Sequence, residues 1–280
     1  MIPAWLVANG GHGWRPTPFL GASAGLHGAA LAALWASPQS WPWVLTALVG
    51  NHMAIGTVGM FPRCGWLGSN MTRLPAAAVG STMVGLTFDD GPDPVVTPAV
   101  LNMLAQSGMK ATFFCIGRRA EQYPDVMAAI RTAGHGIENH SYSHPNSFAL
   151  RGRRGMAREI QRAQSAIAES GGGYPSLFRA PAGIQNPLLQ SALSDSGLSL
   201  VSWTRRGFDT VTRDGARVAK RLTRGLAPGD ILLLHDGSSA RDRNGRPVVL
   251  ESLPRVLDDL GRKGLRSDAL QTLLTRSGTA

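Results

Sequence analysis

Two aspartates stand side by side in Thr87-Phe88-Asp89-Asp90-Gly91-Pro92-Asp93, where the apolar run Met83-Val84-Gly85-Leu86 ends. Gly80 and the Gly-Pro pair bound that run as a strand, so both carboxylates leave a strand where the chain must turn. Neighbours on an extended backbone project to opposite sides. One carboxylate can then take a cation while the other stays free to move a proton. The same letters also spell a turn, since Asp, Gly and Pro are turn residues. Two histidines follow in Glu138-Asn139-His140-Ser141-Tyr142-Ser143-His144. Residues four apart lie one above the other on a helical turn. Joined by Asp90 from another strand end, they make a two-His, one-carboxylate set with open positions, suited to Zn²⁺ or a similar divalent ion. Further on come Arg179 in Phe178-Arg179-Ala180-Pro181-Ala182-Gly183, then Asp209, then His235-Asp236 after Ile231-Leu232-Leu233-Leu234. His235 reads as a third ligand or a general acid. His27 and His135 match no strand end and read as structural.

The elements that must position these residues begin near Ser81. Apolar runs at Met83–Phe88, Ala111–Cys115, Gly136–Asn139, Leu177–Ala180, Leu198–Trp203, Asp230–Leu234 and near Leu265 read as strands. Between them, Thr97–Ser107, Gln122–Ala133, Gly155–Ser170, Pro187–Ser196, Ala216–Arg224 and Val249–Arg262 read as helices, several closed by a C-terminal Gly. The segment from Arg266 to Ala280 reads as a last helix. Strand–helix alternation implies parallel pairing and an α/β domain, as a barrel slightly short of eight strands or an open sheet. In such domains the C-terminal strand ends share one face, where active sites lie. Every candidate falls there.

The N-terminal part is different. No Asp, Glu, Lys or Arg occurs from Pro16 to Pro62, and Ser37-Pro38-Gln39-Ser40 divides two apolar blocks, Pro16–Ala36 and Trp41–Pro62. Each is long enough to cross a hydrocarbon core of about 30 Å, and Trp35, Trp41 and Trp43 cluster at the break, as interfacial aromatics do. The reading is a membrane hairpin over residues 1–80, with the catalytic domain over 81–280. A cleaved signal peptide fits less well, because Arg15 sits late and Leu34-Trp35-Ala36 is a poor cleavage site. Arg15, Arg63 and Arg73 flank the blocks and the loop between them has no charge. That predicts a multi-pass protein of a bacterial-type inner membrane with the rest of the chain in the cytoplasm; a single span would reverse the side. The formal net charge of +10 comes from scattered arginines, with only Lys110, Lys220 and Lys263 as lysines. No basic run with interleaved aromatics occurs, which argues against nucleic acid. Cys64 and Cys115 have no metal-type spacing.

Thr87–Gly91, His140–His144, Arg179–Gly183, Asp209 and Leu233–His235 resemble, in order, the five motifs of the polysaccharide deacetylases (NodB homology domain, carbohydrate esterase family 4) over about Ser81 to Leu274. The resemblance implies a distorted (β/α) barrel with fewer than eight repeats. It implies a metal bound by Asp90, His140 and His144, most simply Zn²⁺ with Co²⁺ as an alternative. It makes Asp89 the general base and His235 the general acid, with Arg179 holding Asp89 and Asp209 holding His235. Pro181, Ala182 and Leu233 would border the acyl group, with the Ala182 N–H facing the oxyanion. The implied substrate is an N-acylated sugar of a poly- or oligosaccharide; a lipid-linked amino sugar and a non-catalytic binding relic are the alternatives. Two motifs depart from the family pattern. Ala182 stands where an aromatic is usual, and Arg206-Gly207-Phe208-Asp209-Thr210 replaces Asp-x-x-Asp-Trp. Arg205 and Arg206 would suit an anionic, phosphate-linked acceptor, or else be solvated surface arginines.

Overall fold

The computed structural model describes residues 14–80 and 82–276. Residues 1–13, Ser81 and 277–280 lie outside the described residues, and with them the two ends of the expected N-terminal segment and C-terminal helix. Helix α1 (Pro18–Ala36) starts at Thr17, whose Oγ1 accepts the Leu20 N–H, with Pro18 in the first helical position. It folds back on α2 (Trp41–Gly59). Polar groups of the hairpin face one another: Asn51 Nδ2 donates to Ser23 Oγ at 2.9 Å, and the His27 and His52 Nε2 atoms are 3.4 Å apart. Its apolar groups face out, with Leu31, Trp35, Trp41, Trp43, Leu45 and Met53 all exposed. Among the described residues only α1 is long and apolar enough to cross a membrane by length and composition. Asn51-His52 at mid-helix dilutes α2, so the expected pair of spans reduces to one, and neither a multi-pass arrangement nor a cytoplasmic side finds support.

After the short α3 (Ala76–Val79) comes the sheet. Its strands are β1 (Met83–Asp89), β2 (Thr112–Cys115), β3 (Gly136–Asn139), β4 (Leu177–Phe178), β5 (Ser199–Leu200), β6 (Arg205–Arg206) and β7 (Ile231–His235). All pair in parallel in the order β5-β4-β3-β2-β1-β7-β6, and β8 (Arg266–Ser267) pairs with the start of β1. This is an open-sided, distorted (β/α) barrel. Around it lie α4 (Val96–Ser107), α5 (Gly117–Gln122), α6 (Pro124–Thr132), α7 (Arg153–Glu169), α8 (Leu189–Ser194), α9 (Gly215–Thr223), α10 (Val248–Arg262) and α11 (Leu270–Arg276).

Alternation along each strand decides which side chains meet. Val84, Leu86 and Phe88 of β1, Phe113 of β2, and Leu232 and Leu234 of β7 pack outward against Val100, Leu104, Val256 and Leu260 of α4 and α10. The opposite parity faces inward, where Phe114, Leu177, Ile231, Leu233, Val201 and Trp203 form a second cluster. Asp89 has the inward parity of β1 and His235 that of β7; Arg179 continues the inward parity of Leu177. Three of the charged side chains are thus delivered to the barrel interior by strand periodicity alone.

The departures from the sequence expectation have local causes. The expected helix Gln122–Ala133 is α6, which begins only at Pro124, because the residue before Pro124 is steered away from helical backbone; the short α5 before it was not expected. Strand β6, two arginines long, carries no apolar signal and was not expected. Cys115 is a buried core thiol, and His135 is structural: its Nδ1 accepts the Ala111 N–H, and burial with Lys110 nearby lowers its pKa to about 4.

Candidate active site

The turn after β1 puts Asp90 on left-handed backbone, φ 71°. That conformation is uncommon outside glycine, and Asp tolerates it best together with Asn. Asp90 Oδ1 lies 3.3 Å from His140 Nε2 and 3.3 Å from His144 Nε2. The histidines do not sit on a helical turn as their spacing predicted. Residues 140–144 form an irregular loop with Ser141 at φ 64° and His144 at φ 50°. The loop is fixed by Asn139 Oδ1 accepting the Ser141 N–H at 2.9 Å and by Glu159 of α7, whose two oxygens accept the Ser143 N–H and hydroxyl at 2.9 Å each.

Asp90, His140 and His144 offer one ligand atom each, all within 4.8 Å of one another. Two observations say that they fit a divalent ion. Asp90 Oδ1 is buried and, despite the two nearby nitrogens, takes part in no hydrogen bond, which is costly for a carboxylate oxygen unless something else satisfies it. His140 Nδ1 lies 2.8 Å from the Arg179 carbonyl, which can only accept, so Nδ1 carries the proton and Nε2 turns its lone pair toward Asp90. Burial opposes the Asp90 charge, but the close approach of His140, with His235 and His144 nearby, outweighs it and holds the carboxyl well below the usual range. His140 is raised, burial being outweighed by Asp89 and Asp90; His144 is lowered by burial and by His140.

Asp89 faces the same point. Its Oδ1 accepts from Arg179 Nη1 at 2.6 Å, while Oδ2 lies 3.8 Å from His140 Nε2. Arg179 is wholly buried and every donor group is placed: Nη1 also reaches Thr87 Oγ1 at 2.8 Å, Nη2 the Ser202 carbonyl at 2.9 Å and Nε that of Val201 at 3.3 Å. Burial lowers its pKa and Asp89 opposes that fall. Across the site, His235 Nδ1 meets Asp209 Oδ1 at 2.8 Å, and the His235 N–H donates to Asp209 Oδ2 at 2.7 Å. Asp209 is fully buried. Burial resists the imidazolium, yet Asp209, then Asp89 and Asp90, raise the His235 pKa above its ordinary value. His235 is paired to Asp209, outside the Asp90–His140–His144 group.

Pro181, Ala182 and Gly183 make a tight turn after β4, with Ala182 exposed and held at φ 55°. A β-carbon on Gly183 would lie 2.5 Å from Trp203 and 2.8 Å from Pro62, so only glycine lets the turn sit this low. Leu233, buried, faces inward on β7. The end of α2 is bonded to this corner: the Gln185 N–H donates to the Gly59 carbonyl at 2.9 Å and Ser202 Oγ to that of Pro62 at 2.6 Å.

Sequence reasoning missed Ser238, whose hydroxyl donates to Asp90 Oδ2, and Asp236, which accepts from Thr97 Oγ1 and is raised to about 7 chiefly by burial. It also missed Phe208, at φ 60°. Among the described residues, the non-glycine residues on left-handed backbone are Asp90, Ser141, His144, Ala182 and Phe208, all in loops that follow strand ends. Such outliers, costing of order 1–3 kcal/mol apiece, concentrate at functional sites.

A family model for polysaccharide deacetylase matches residues 76–201. The chain is 36% identical over 197 residues to a chitooligosaccharide deacetylase of Azorhizobium caulinodans, covering 67% of this chain and 91% of that one. It is 30% identical over 197 residues to a peptidoglycan-N-acetylglucosamine deacetylase of Bacillus cereus, covering 69% and 88%. A solved family 4 carbohydrate esterase from Streptomyces lividans, in complex with acetate, is 38% identical, with a TM-score of 0.60 over 66% of this chain and 91% of that one. By these similarities the chain belongs to the polysaccharide deacetylases, hydrolases of amide-linked acetyl groups.

Proposed function

We propose that this protein is a metal-dependent deacetylase that removes the N-acyl group from a sugar of a poly- or oligosaccharide. The observation that carries the reading is the pairing around the Asp90–His140–His144 group: a carboxylate pinned by its own arginine on one side, a histidine pinned by its own aspartate on the other. Sugar binding alone needs neither a held base nor a held acid.

A divalent ion, Zn²⁺ or Co²⁺, held by Asp90, His140 and His144 supplies a Lewis acid for the amide carbonyl and acidifies water. Asp89, with Oδ1 engaged by Arg179, takes the proton of the attacking water on Oδ2. The Ala182 N–H, on a turn whose strained backbone is fixed beforehand, donates to the oxyanion that develops. His235, with Nδ1–H held by Asp209, delivers a proton from Nε2 to the nitrogen as the carbon–nitrogen bond breaks. The amine leaves neutral, and acetate carries the water oxygen. Leu233 and Pro181 border the acyl methyl.

The test is acetate release from N-acetylated chito-oligosaccharides and peptidoglycan fragments, followed by mass spectrometry, with Asp89→Asn alongside. The variant should keep its metal and lose about 10²–10⁴-fold in turnover; an unchanged rate removes Asp89 as the base.

The hairpin supports a membrane placement. Its polar residues pair between helices and its apolar ones face out, inverted relative to a soluble helix pair. We assign residues 1–80 to membrane association, tip first through Trp35, Trp41 and Trp43, and 81–280 to catalysis. Because α2 is bonded directly to the Pro181–Gln185 corner, a lipid-linked amino sugar is the second reading. Co-sedimentation with liposomes that survives deletion of the hairpin would overturn the placement.

A further inference from the structure

The adjacent arginines of β6 have opposite surroundings. Arg205 is committed to structure: it pairs with Asp230 and donates to the Arg224 and Gly225 carbonyls. Arg206 alternates to the other side. In the parallel pairing with β7 it stands beside Leu233, whose side chain faces the barrel interior, where Asp89, Arg179 and His235 also point. Among the described residues the Arg206 side chain makes no hydrogen bond and no ion pair, and its Nε is buried without an acceptor. A guanidinium donor shut from water and left unpaired needs a reason.

Two rings hold it. Its guanidinium carbon lies 5.4 Å from the Trp203 centroid and 5.1 Å from that of Phe208. Trp203 is shared with the catalytic centre: the guanidinium of Arg179 lies 5.9 Å from the same ring, and Gly183 of the Pro181–Gly183 turn packs on its edge. Phe208 is half-exposed on left-handed backbone, with the Arg221 guanidinium also 5.5 Å from its ring, while Asp209, the next residue, reaches His235. A bulky side chain in that conformation is a genuine outlier. The rim of the site therefore carries an aromatic ring and, against it, a cation with no hydrogen-bond or ion-pair partner among the described residues.

We propose that Arg206, held between Trp203 and Phe208, is a specificity residue that binds an oxyanion substituent, phosphate or carboxylate, on the acylated sugar, with Phe208 covering the sugar ring. The inference rests on the deacetylase reading and names its substrate class. The planar fork of a guanidinium matches two oxygens of one anion, and Arg206 has no protein acceptor to give up. A neutral chito-oligosaccharide offers it only hydroxyl and amide oxygens.

The metal-loaded full chain is compared on N-acetylglucosamine 1-phosphate, N-acetylmuramic acid and neutral N,N′-diacetylchitobiose, reading both affinity by calorimetry and acetate release. At least one charged sugar should bind about 10- to 100-fold more tightly than N,N′-diacetylchitobiose, the range of a charge-assisted hydrogen bond. Arg206→Gln should collapse that ratio to within about two-fold, and Arg206→Lys, which keeps charge without the fork, should restore part of it. Whether the phosphate or the carboxylate ranks first says which substituent is read. Equal affinity for all three sugars in the wild type, or an equal loss for all three in Arg206→Gln, overturns the proposal. Preferential binding through Arg206 without acetate release would overturn the deacetylase reading and leave the anion subsite standing. Acetate released equally from all three would do the reverse.

Discussion

Replacing Asp209 with asparagine changes one atom's element and removes one charge, leaving volume unaltered at a fully buried position. The consequence follows from two bonds. The His235 backbone N–H donates to Oδ2, so the amide must keep its carbonyl oxygen there. Its NH₂ then faces His235 Nδ1, where the carboxylate stood at 2.8 Å. A donor facing Nδ1 selects the neutral imidazole with its proton on Nε2 and opposes the imidazolium. A charge-assisted hydrogen bond contributes about 1.5–3 kcal/mol, and about 1.4 kcal/mol is tenfold, so the protonated acid becomes roughly 10- to 100-fold scarcer at neutral pH. kcat should fall by that factor with KM little changed, and the alkaline limb of the pH–rate profile should move to lower pH. Stability carries a second signature. The wild-type His235 pKa is raised by folding, so its contribution is present below the ordinary histidine value and is lost as pH rises through the folded one. The deficit of Asp209→Asn in urea unfolding should therefore be larger at pH 6 than at pH 9. An unmoved alkaline limb with metal content intact would refute His235 as the acid.

Other perturbations probe the supports. Arg179→Met leaves Asp89 buried without its cation and should destabilise the fold by about 3–5 kcal/mol in chemical denaturation; a loss under about 1 kcal/mol would mean that the pair is not what holds Asp89. A β-carbon on Gly237 would lie 2.0 Å from the Asp90 carbonyl oxygen, so Gly237→Ala should displace the ligand's backbone and weaken metal affinity by about 10- to 100-fold in competition with a chelator. Glu138 is wholly buried, and burial raises it to about 8 although it accepts the Ser176 and Leu177 N–H groups. Its folded pKa lies above the unfolded one, so the native state holds the extra proton and stability should fall as pH rises from about 4.5 to about 8, by several kcal/mol at most. Glu138→Gln, which keeps an acceptor for those N–H groups, should flatten that slope.

The parts of the site legible in the sequence were those written in period and order. The order of the apolar runs placed Asp89, Arg179 and His235 at C-terminal strand ends on one face, and put Asp209 on that face after the fifth expected strand, whereas it follows β6. What spacing alone mis-stated was conformation: His140 and His144 converge through an irregular loop with two left-handed residues, because Asn139 and Glu159 satisfy its backbone in place of helical bonds. Strand β6 was invisible because two arginines carry no apolar signal, and its pairing exists only through β7. Ser238 and Asp236 were missed for a similar reason: an isolated Ser or Asp near a strand end says nothing until the fold sets it against Asp90 or Thr97. The hairpin's length was legible. The pairing of its few polar residues between helices, which bears on a membrane reading, required the packed structure.

The most direct test is stoichiometric. Purified full chain is stripped with a chelator, titrated with Zn²⁺ and assayed for acetate from N-acetylated sugar, beside Asp90→Ala. One ion per chain should bind, acetate release should rise in step with occupancy, and the variant should neither bind nor turn over. Acetate release that persists in the stripped chain, or full activity in Asp90→Ala, would contradict a metal-dependent mechanism built on Asp90, His140 and His144.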